Sequence, residues 1–220
     1  MKPYIDYTLL KPEARRDDFL NLCREARKYP EIIRSVCVLP SPIIIQECLN
    51  ILEGSNIFVC VVNDFPLGRG GEMAKSRQAE IVREAGAKEI DTVINVGALL
   101  DGKFNVVLDE LKAVSEIFPK ATKVILETGH EFYSEELIKK ATEIVANSGA
   151  FCVKTSTGFI KNIPIEAKVN HIKWMHEAAP GLVKKVAGGI KTKKDAELFS
   201  GIVPEDLLIF GASSKFWIED

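Results

Sequence analysis

Lys154 closes the segment Phe151-Cys152-Val153-Lys154-Thr155-Ser156-Thr157-Gly158-Phe159, where an apolar run meets a charge and then a turn rich in hydroxyls and glycine. An ammonium at the end of a buried strand is costly unless it is paired or used. One relief is loss of the proton, which leaves a nucleophilic amine near neutral pH. The plainer alternative is a lysine that packs its stem and keeps its head in water. A second signal is Lys184-Lys185-Val186-Ala187-Gly188-Gly189-Ile190. Strand alternation puts the two lysines on opposite faces, and Lys185, nearer the strand end, is the one expected to face inward, while Lys184 reads as solvated. A second ammonium beside Lys154 would favour release of its proton by like-charge repulsion and could relay protons. Asp91 shares a strand face with Val93 and Asn95 and needs a cationic partner, for which Lys154 and Lys185 are the candidates. The competing reading of Asp91 is a structural ion pair.

The remaining polar signals point to an anion. Gly188-Gly189 follow one apolar run, and Gly211-Ala212-Ser213-Ser214 follow the next and open a short helix. Glycines let backbone N–H groups approach a phosphate, a helix start adds a favourable dipole, and Ser213 and Ser214 can donate hydroxyls. Thr157 and Gly158 are placed to close the other side. Glu127 reads as a supporting residue. The glycine-rich stretch Phe65-Pro66-Leu67-Gly68-Arg69-Gly70-Gly71 lacks both the Walker ending and the dinucleotide spacing, so it gives no nucleotide site. The three histidines are dispersed. His171 and His176 read as surface groups, and Trp174 and Met175 as core or subunit contact. Five cysteines without paired spacing, and so few histidines, argue against zinc.

These residues must be positioned by a recurrent unit. Candidate strands are Ile5–Leu10, Ile32–Leu39, Ile57–Val62, Ile90–Val96, Lys123–Glu127, Phe151–Thr155, Leu182–Ala187 and Leu207–Phe210. Amphipathic stretches lie between them at Arg15–Lys28, Pro42–Glu53, Glu72–Ala85, Lys103–Phe118, Ser134–Ser148, Pro164–Ala178 and Lys193–Phe199, with a short last helix after Ser213. Short, apolar, β-branched strands suit a parallel sheet buried on both faces. Ser41-Pro42 and Ser134-Glu135-Glu136 are helix starts, and Gly86 and Gly149 are stops. Eight strand–helix units predict a single (β/α)8 barrel over residues 1–220, with its site at the C-terminal ends of the strands. A doubly wound open sheet is the runner-up.

A net charge of −2, with 46% hydrophobic and 27% charged residues, describes an ordinary soluble globule. It offers no footprint for nucleic acid. No apolar run is long enough to span a membrane, and the N-terminus lacks a signal-peptide core. The cysteines read as small core hydrophobes in a reducing, cytoplasmic setting, with Cys37 a candidate to line a pocket.

With these motifs in place, the chain resembles the class I deoxyribose-phosphate aldolases almost end to end. The resemblance runs from Ile5-Asp6-Tyr7-Thr8-Leu9-Leu10-Lys11-Pro12 through Val36-Cys37-Val38, Phe65-Pro66-Leu67-Gly68 and Glu89-Ile90-Asp91-Thr92-Val93-Ile94-Asn95. It continues through Leu126-Glu127-Thr128-Gly129 and Val153-Lys154-Thr155-Ser156-Thr157-Gly158-Phe159 to Ala187-Gly188-Gly189-Ile190 and Gly211-Ala212-Ser213-Ser214. The resemblance implies reversible cleavage of 2-deoxy-D-ribose 5-phosphate to D-glyceraldehyde 3-phosphate and acetaldehyde, without metal or organic cofactor. It implies a Schiff base on Lys154, Lys185 as its electrostatic partner and proton shuttle, and Asp91 in the relay. Gly188, Gly189, Gly211, Ser213 and Ser214 would hold the phosphate, and the family forms dimers and tetramers. Three departures stand out. Tyr7 replaces the usual His, and Asp64 replaces the usual Gly or Asn, where an added acid near the mouth would repel a phosphorylated substrate or reshape the pocket. The chain ends Phe216-Trp217-Ile218-Glu219-Asp220, without the C-terminal Tyr of some members, which implies that proton exchange at the acetaldehyde-derived carbon is slower or is served by another group. A Schiff-base aldolase for another phospho-sugar and an inactive phosphosugar-binding protein are the alternatives.

Overall fold

The computed structural model describes residues 4–215. The terminal stretch 216–220, with the expected last helix and the tail, lies outside them. Eight parallel strands close into a barrel in chain order: β1 (Ile5–Thr8), β2 (Ile33–Val38), β3 (Phe58–Asn63), β4 (Glu89–Val93), β5 (Thr122–Ile125), β6 (Cys152–Lys154), β7 (Val183–Ala187) and β8 (Leu208–Ala212). The open-sheet alternative fails because the short β1 pairs with both β2 and β8 and leaves no edge.

The helices are α1 (Arg16–Ala26), α2 (Pro42–Leu52), α3 (Gly71–Glu84), α4 (Val96–Leu100), α5 (Phe104–Ile117), α6 (Glu135–Asn147), α7 (Ile165–Ala178) and α8 (Lys193–Glu197). Their starts follow local chemistry. Pro42 opens α2 behind Ser41, and the Ser134 hydroxyl accepts from Leu137 N–H at the head of α6. Thr192 and Asp195 cap α8 reciprocally. Several strand ends differ by a residue or two from expectation, and at the fourth strand the difference brings in a helix. The fourth strand stops at Val93, and Asn95 caps α4 instead of continuing the strand, its Oδ1 accepting from Ala98 N–H at 3.1 Å. A side-chain amide that satisfies a helix N-terminus outweighs one more residue of strand. A single 3-10 turn at Glu205–Leu207 was also not expected.

Alternation along the strands divides the interior. Val59, Val61, Ile90, Val124, Val153 and Val186 face outward into one continuous apolar core under the helices. Met175 is fully buried in that layer, and Trp174 packs against it. A fully buried side chain of this size contributes roughly 1.5–3 kcal/mol, so this sheath carries the fold. The inward-facing positions are different: a small cluster of Leu10, Cys37, Cys60 and Val62 sits beside a set of charges. All five cysteines are free and buried. No helix among the described residues is long and apolar enough to cross a membrane.

Candidate active site

Register sets the charges. Asp91 pairs with Lys123 across β4 and β5, and Lys154 with Lys185 across β6 and β7. All four residues point inward and meet. Lys154 Nζ lies 2.7 Å from Asp91 Oδ2, and Lys185 Nζ lies 2.8 Å from the same oxygen. Lys123 Nζ lies 2.9 Å from Asp91 Oδ1. Asp6, from β1, takes Lys185 Nζ on Oδ2 at 2.5 Å as an ion pair, while Ser35 Oγ donates to its Oδ1 at 2.7 Å. Deeper in the barrel, Arg34 grips Glu89 with both terminal nitrogens and reaches Asp6 Oδ1 at 2.8 Å. Glu89 also meets Lys123 at 2.5 Å. Asp6, Asp91, Lys123 and Lys185 expose no surface, and Lys154 exposes 2%.

Four cations therefore face three carboxylates. Burial alone would raise the Asp91 carboxyl, but Lys123, Lys154 and Lys185 outweigh it and hold it well below the usual carboxylate range. Burial alone would lower the Lys185 and Lys123 amines, but Asp6 and Asp91 hold Lys185 above the ordinary lysine range, and Asp91 with Glu89 and Asp6 does so for Lys123. The lysines are not equally compensated. Lys123 contacts three carboxylates, Lys185 two, and Lys154 one, and Lys154 lies nearest the mouth.

The surrounding loops fix these strands. Thr155 N–H donates to Lys185 O, and Thr155 Oγ1 accepts from Ala187 N–H, so the ends of β6 and β7 are locked together. Glu127 sits at a positive φ of 59°, and its carboxylate accepts from both the amide and the hydroxyl of Thr157. The Thr157 hydroxyl is thus committed to shaping its loop, and Glu127 anchors it. Gly158, Gly188 and Gly189 adopt φ of 89°, 75° and 81°, and a methyl built on Gly188 would lie 3.5 Å from Gly158 Cα. These glycines therefore converge from two loops. Ser214 Oγ donates to Ile190 O at 3.3 Å and ties the loop after β8 to the one after β7. Ser213 lines a neighbouring cleft of about 430 Å³ with Tyr7, Lys11, Glu25 and Lys215. Gly211 lies inside β8 rather than after it. A methyl there would sit 3.1 Å from Lys185 Cε, so this glycine makes room for the lysine stem.

Several sequence readings change. Lys184 is buried, not solvated; its Nζ donates to Ala179 O and Leu182 O, both at 2.6 Å, and burial lowers its amine to about 8. His171 is buried as well, at 9% exposure, because it packs on the core side of α7. Asp64 does not present a free acid to the mouth. Its carboxylate meets Lys75 Nζ of α3 at 2.8 Å and accepts from Gly70 N–H at 2.8 Å, so its charge is paired. Sequence reasoning missed Lys123 as a member of the cluster, because it stands at the start of an apolar run and not at its end before a turn. Cys37, Cys60 and Asp91 place their ligand atoms within 4.8 Å of one another. The ammonium groups already on Asp91 make that spot hostile to a further cation.

Residues 63–212 match the family model described as DeoC/LacD family aldolase. The "Deoxyribose-phosphate aldolase" of Clostridium novyi is 40% identical over 99% of this chain and 94% of its own length. The protein of the same name from Metamycoplasma hominis is 41% identical over 90% and 88%. Among solved structures, the deoxyribose phosphate aldolase of Aeropyrum pernix, described as a unique tetramer, superposes with a TM-score of 0.79 at 29% identity, covering 96% of this chain and 85% of that one. The aldolase QR15 superposes with a TM-score of 0.81 at 30% identity, covering 96% and 90%. A closed eight-stranded parallel barrel, a buried lysine–carboxylate cluster and relatives matched over nearly their whole length agree: the chain belongs to the DeoC/LacD family of aldolases.

Proposed function

We propose that this chain cleaves 2-deoxy-D-ribose 5-phosphate reversibly to D-glyceraldehyde 3-phosphate and acetaldehyde through a Schiff base on Lys154. The observation that carries the reading is the single Asp91 oxygen shared by Lys154 and Lys185. With every group ionised the cluster holds one positive charge in excess, and Lys154, with a single carboxylate contact, is the amine nearest the mouth.

The neutral amine adds to the open-chain aldehyde carbon, and loss of water gives the iminium. The iminium is the electron sink. A proton leaves the C3 hydroxyl, the C2–C3 bond breaks, and its electron pair moves into the iminium to give an enamine and the three-carbon aldehyde phosphate. Protonation of the enamine carbon and hydrolysis release acetaldehyde and restore the amine. Lys185, held charged by Asp6 and Asp91, supplies and recovers protons with Asp91 and an ordered water. Gly158, Gly188, Gly189, Ser213 and Ser214 form the phosphate end, Thr157 shapes its loop, and Gly211 leaves room for Lys185. In this reading the enzyme is cytoplasmic and assembles as a dimer or tetramer.

Incubation with acetaldehyde or 2-deoxyribose 5-phosphate plus borohydride, followed by peptide mapping, tests the reading. A single reduced adduct on Lys154 is expected, and Lys154→Arg should lose both adduct and turnover while remaining folded, because a guanidinium cannot become a neutral amine. Adducts scattered over surface lysines, or normal turnover in the variant, would refute it.

A further inference from the structure

Lys168, in the first turn of α7, is a buried lysine that the reaction above does not use. It exposes 3% of its surface, and no carboxylate among the described residues pairs with it. Its Nζ donates to Ala187 O at 3.1 Å and to Gly188 O. A methyl built on Gly188 would lie 3.3 Å from that nitrogen, and one on Gly189 3.6 Å. The ammonium thus sits where the loops after β6 and β7 converge. The N–H groups of Gly189 and Ile190 have no acceptor among the described residues. A buried ammonium held only by carbonyls is under-compensated, and burial lowers its amine, with Glu127 partly opposing. Lys75 and Lys184 offer the comparison. Lys75 is matched by two carboxylates, and Lys184 is enclosed by carbonyls of the turn before β7, at the opposite end of that strand from Gly188 and Gly189.

We propose that Lys168 is the cation that grips the phosphate of the substrate, reaching into the glycine cradle from helix α7. The assignment rests on the reading of the glycine loops as the phosphate end. A dianion there would meet the third N–H of the ammonium together with the backbone donors, which is the partner the buried charge lacks. Lys168 touches the non-reacting end of the substrate, so its contribution is to binding and to discrimination between phosphorylated and free sugars.

The test compares Lys168→Met with wild type on two sugars. Loss of one charge-assisted contact should raise KM for 2-deoxyribose 5-phosphate roughly 10–100-fold. The value of kcat should change little, and kcat/KM on unphosphorylated 2-deoxyribose should stay at the wild-type level. Competitive inhibition by inorganic phosphate should weaken by the same factor, and Lys168→Arg should restore most of both. An unchanged KM and unchanged phosphate inhibition in Lys168→Met would overturn the proposal, as would equal losses on the two sugars. If Lys168→Met does not fold, titration of wild type and Lys168→Arg with inorganic phosphate by calorimetry decides, and absence of binding to either overturns it. A wild type that binds phosphate but leaves 2-deoxyribose 5-phosphate intact would sink the substrate assignment while leaving Lys168 as the phosphate cation.

Discussion

At the scale of residues, the site is a problem in unequal charge compensation. Lys123 is the best-paired amine, in contact with Asp91, Glu89 and Asp6, and it also donates to Cys60 Sγ at 3.1 Å. It is too enclosed to be a nucleophile, yet it shares the Asp91 carboxylate with Lys154. Lys123→Met should therefore act in two ways. It leaves buried carboxylates short of a cation, which costs about 3–5 kcal/mol in denaturant unfolding. It also removes one of the three ammonium groups gathered on Asp91, and should alter kcat/KM and its pH profile through that carboxylate. Stability lost with an unmoved profile would mean that Lys123 supports the barrel and nothing more.

At the scale of elements, the strands were legible and the inward charges only partly so. Lys154 stands out because it ends an apolar strand just before a turn of hydroxyls and glycine, and Lys185 because it lies near the end of one that runs into Gly188-Gly189. Lys123 does not, because it lies at the start of an apolar run, where a lysine reads as solvated, and only the Asp91 pairing of β4 with β5 shows which way it points. Lys168 and His171 were illegible for another reason. Three residues apart on α7, they share a helix face that the fold buries, Lys168 against the end of β7. That burial has a consequence for stability. Burial first, and the Lys168 charge second, lower the His171 imidazole to about 4. Unfolded, it binds a proton near pH 6.5, so the unfolded chain holds more protons between those limits. His171 therefore contributes stability that is fully present above pH 6.5 and lost as pH falls towards 4. His171→Phe should flatten this loss, which amounts to about 1–3 kcal/mol between pH 7 and 4. Unfolding midpoints with the same pH slope in both proteins would show that the imidazole finds a proton acceptor on α7 when it charges.

At the scale of the whole molecule, the barrel and the charge cluster depend on each other. Asp6 comes from the first strand and Lys185 from the seventh, and they meet because β1 closes on β8. β1 has four residues and a register irregularity between Ile5 and Asp6, so its ladder to its neighbours is short. The Asp6 carboxylate, shared among Arg34, Ser35 and Lys185, adds the interactions that hold the seam. Burial would raise that carboxyl, but Lys185, Lys123 and Arg34 hold it far below the ordinary carboxylate range. A folded value below the unfolded one means stability that is present above about pH 4 and lost as pH falls further. Asp6→Asn keeps the shape and an acceptor for Ser35 and Arg34 but removes the charge. It should cost about 3–5 kcal/mol at neutral pH, and the gap from wild type should narrow by about 1 kcal/mol on going from pH 7 to pH 3. Lys154 would still form its borohydride-trapped adduct, because Asp91 and the β6 strand are untouched. A gap that stays constant with pH would mean that the seam is held by the β1–β8 ladder and packing alone. Loss of the adduct from a folded Asp6→Asn would place Asp6 within the proton relay, where Lys185 needs both carboxylates to return its proton.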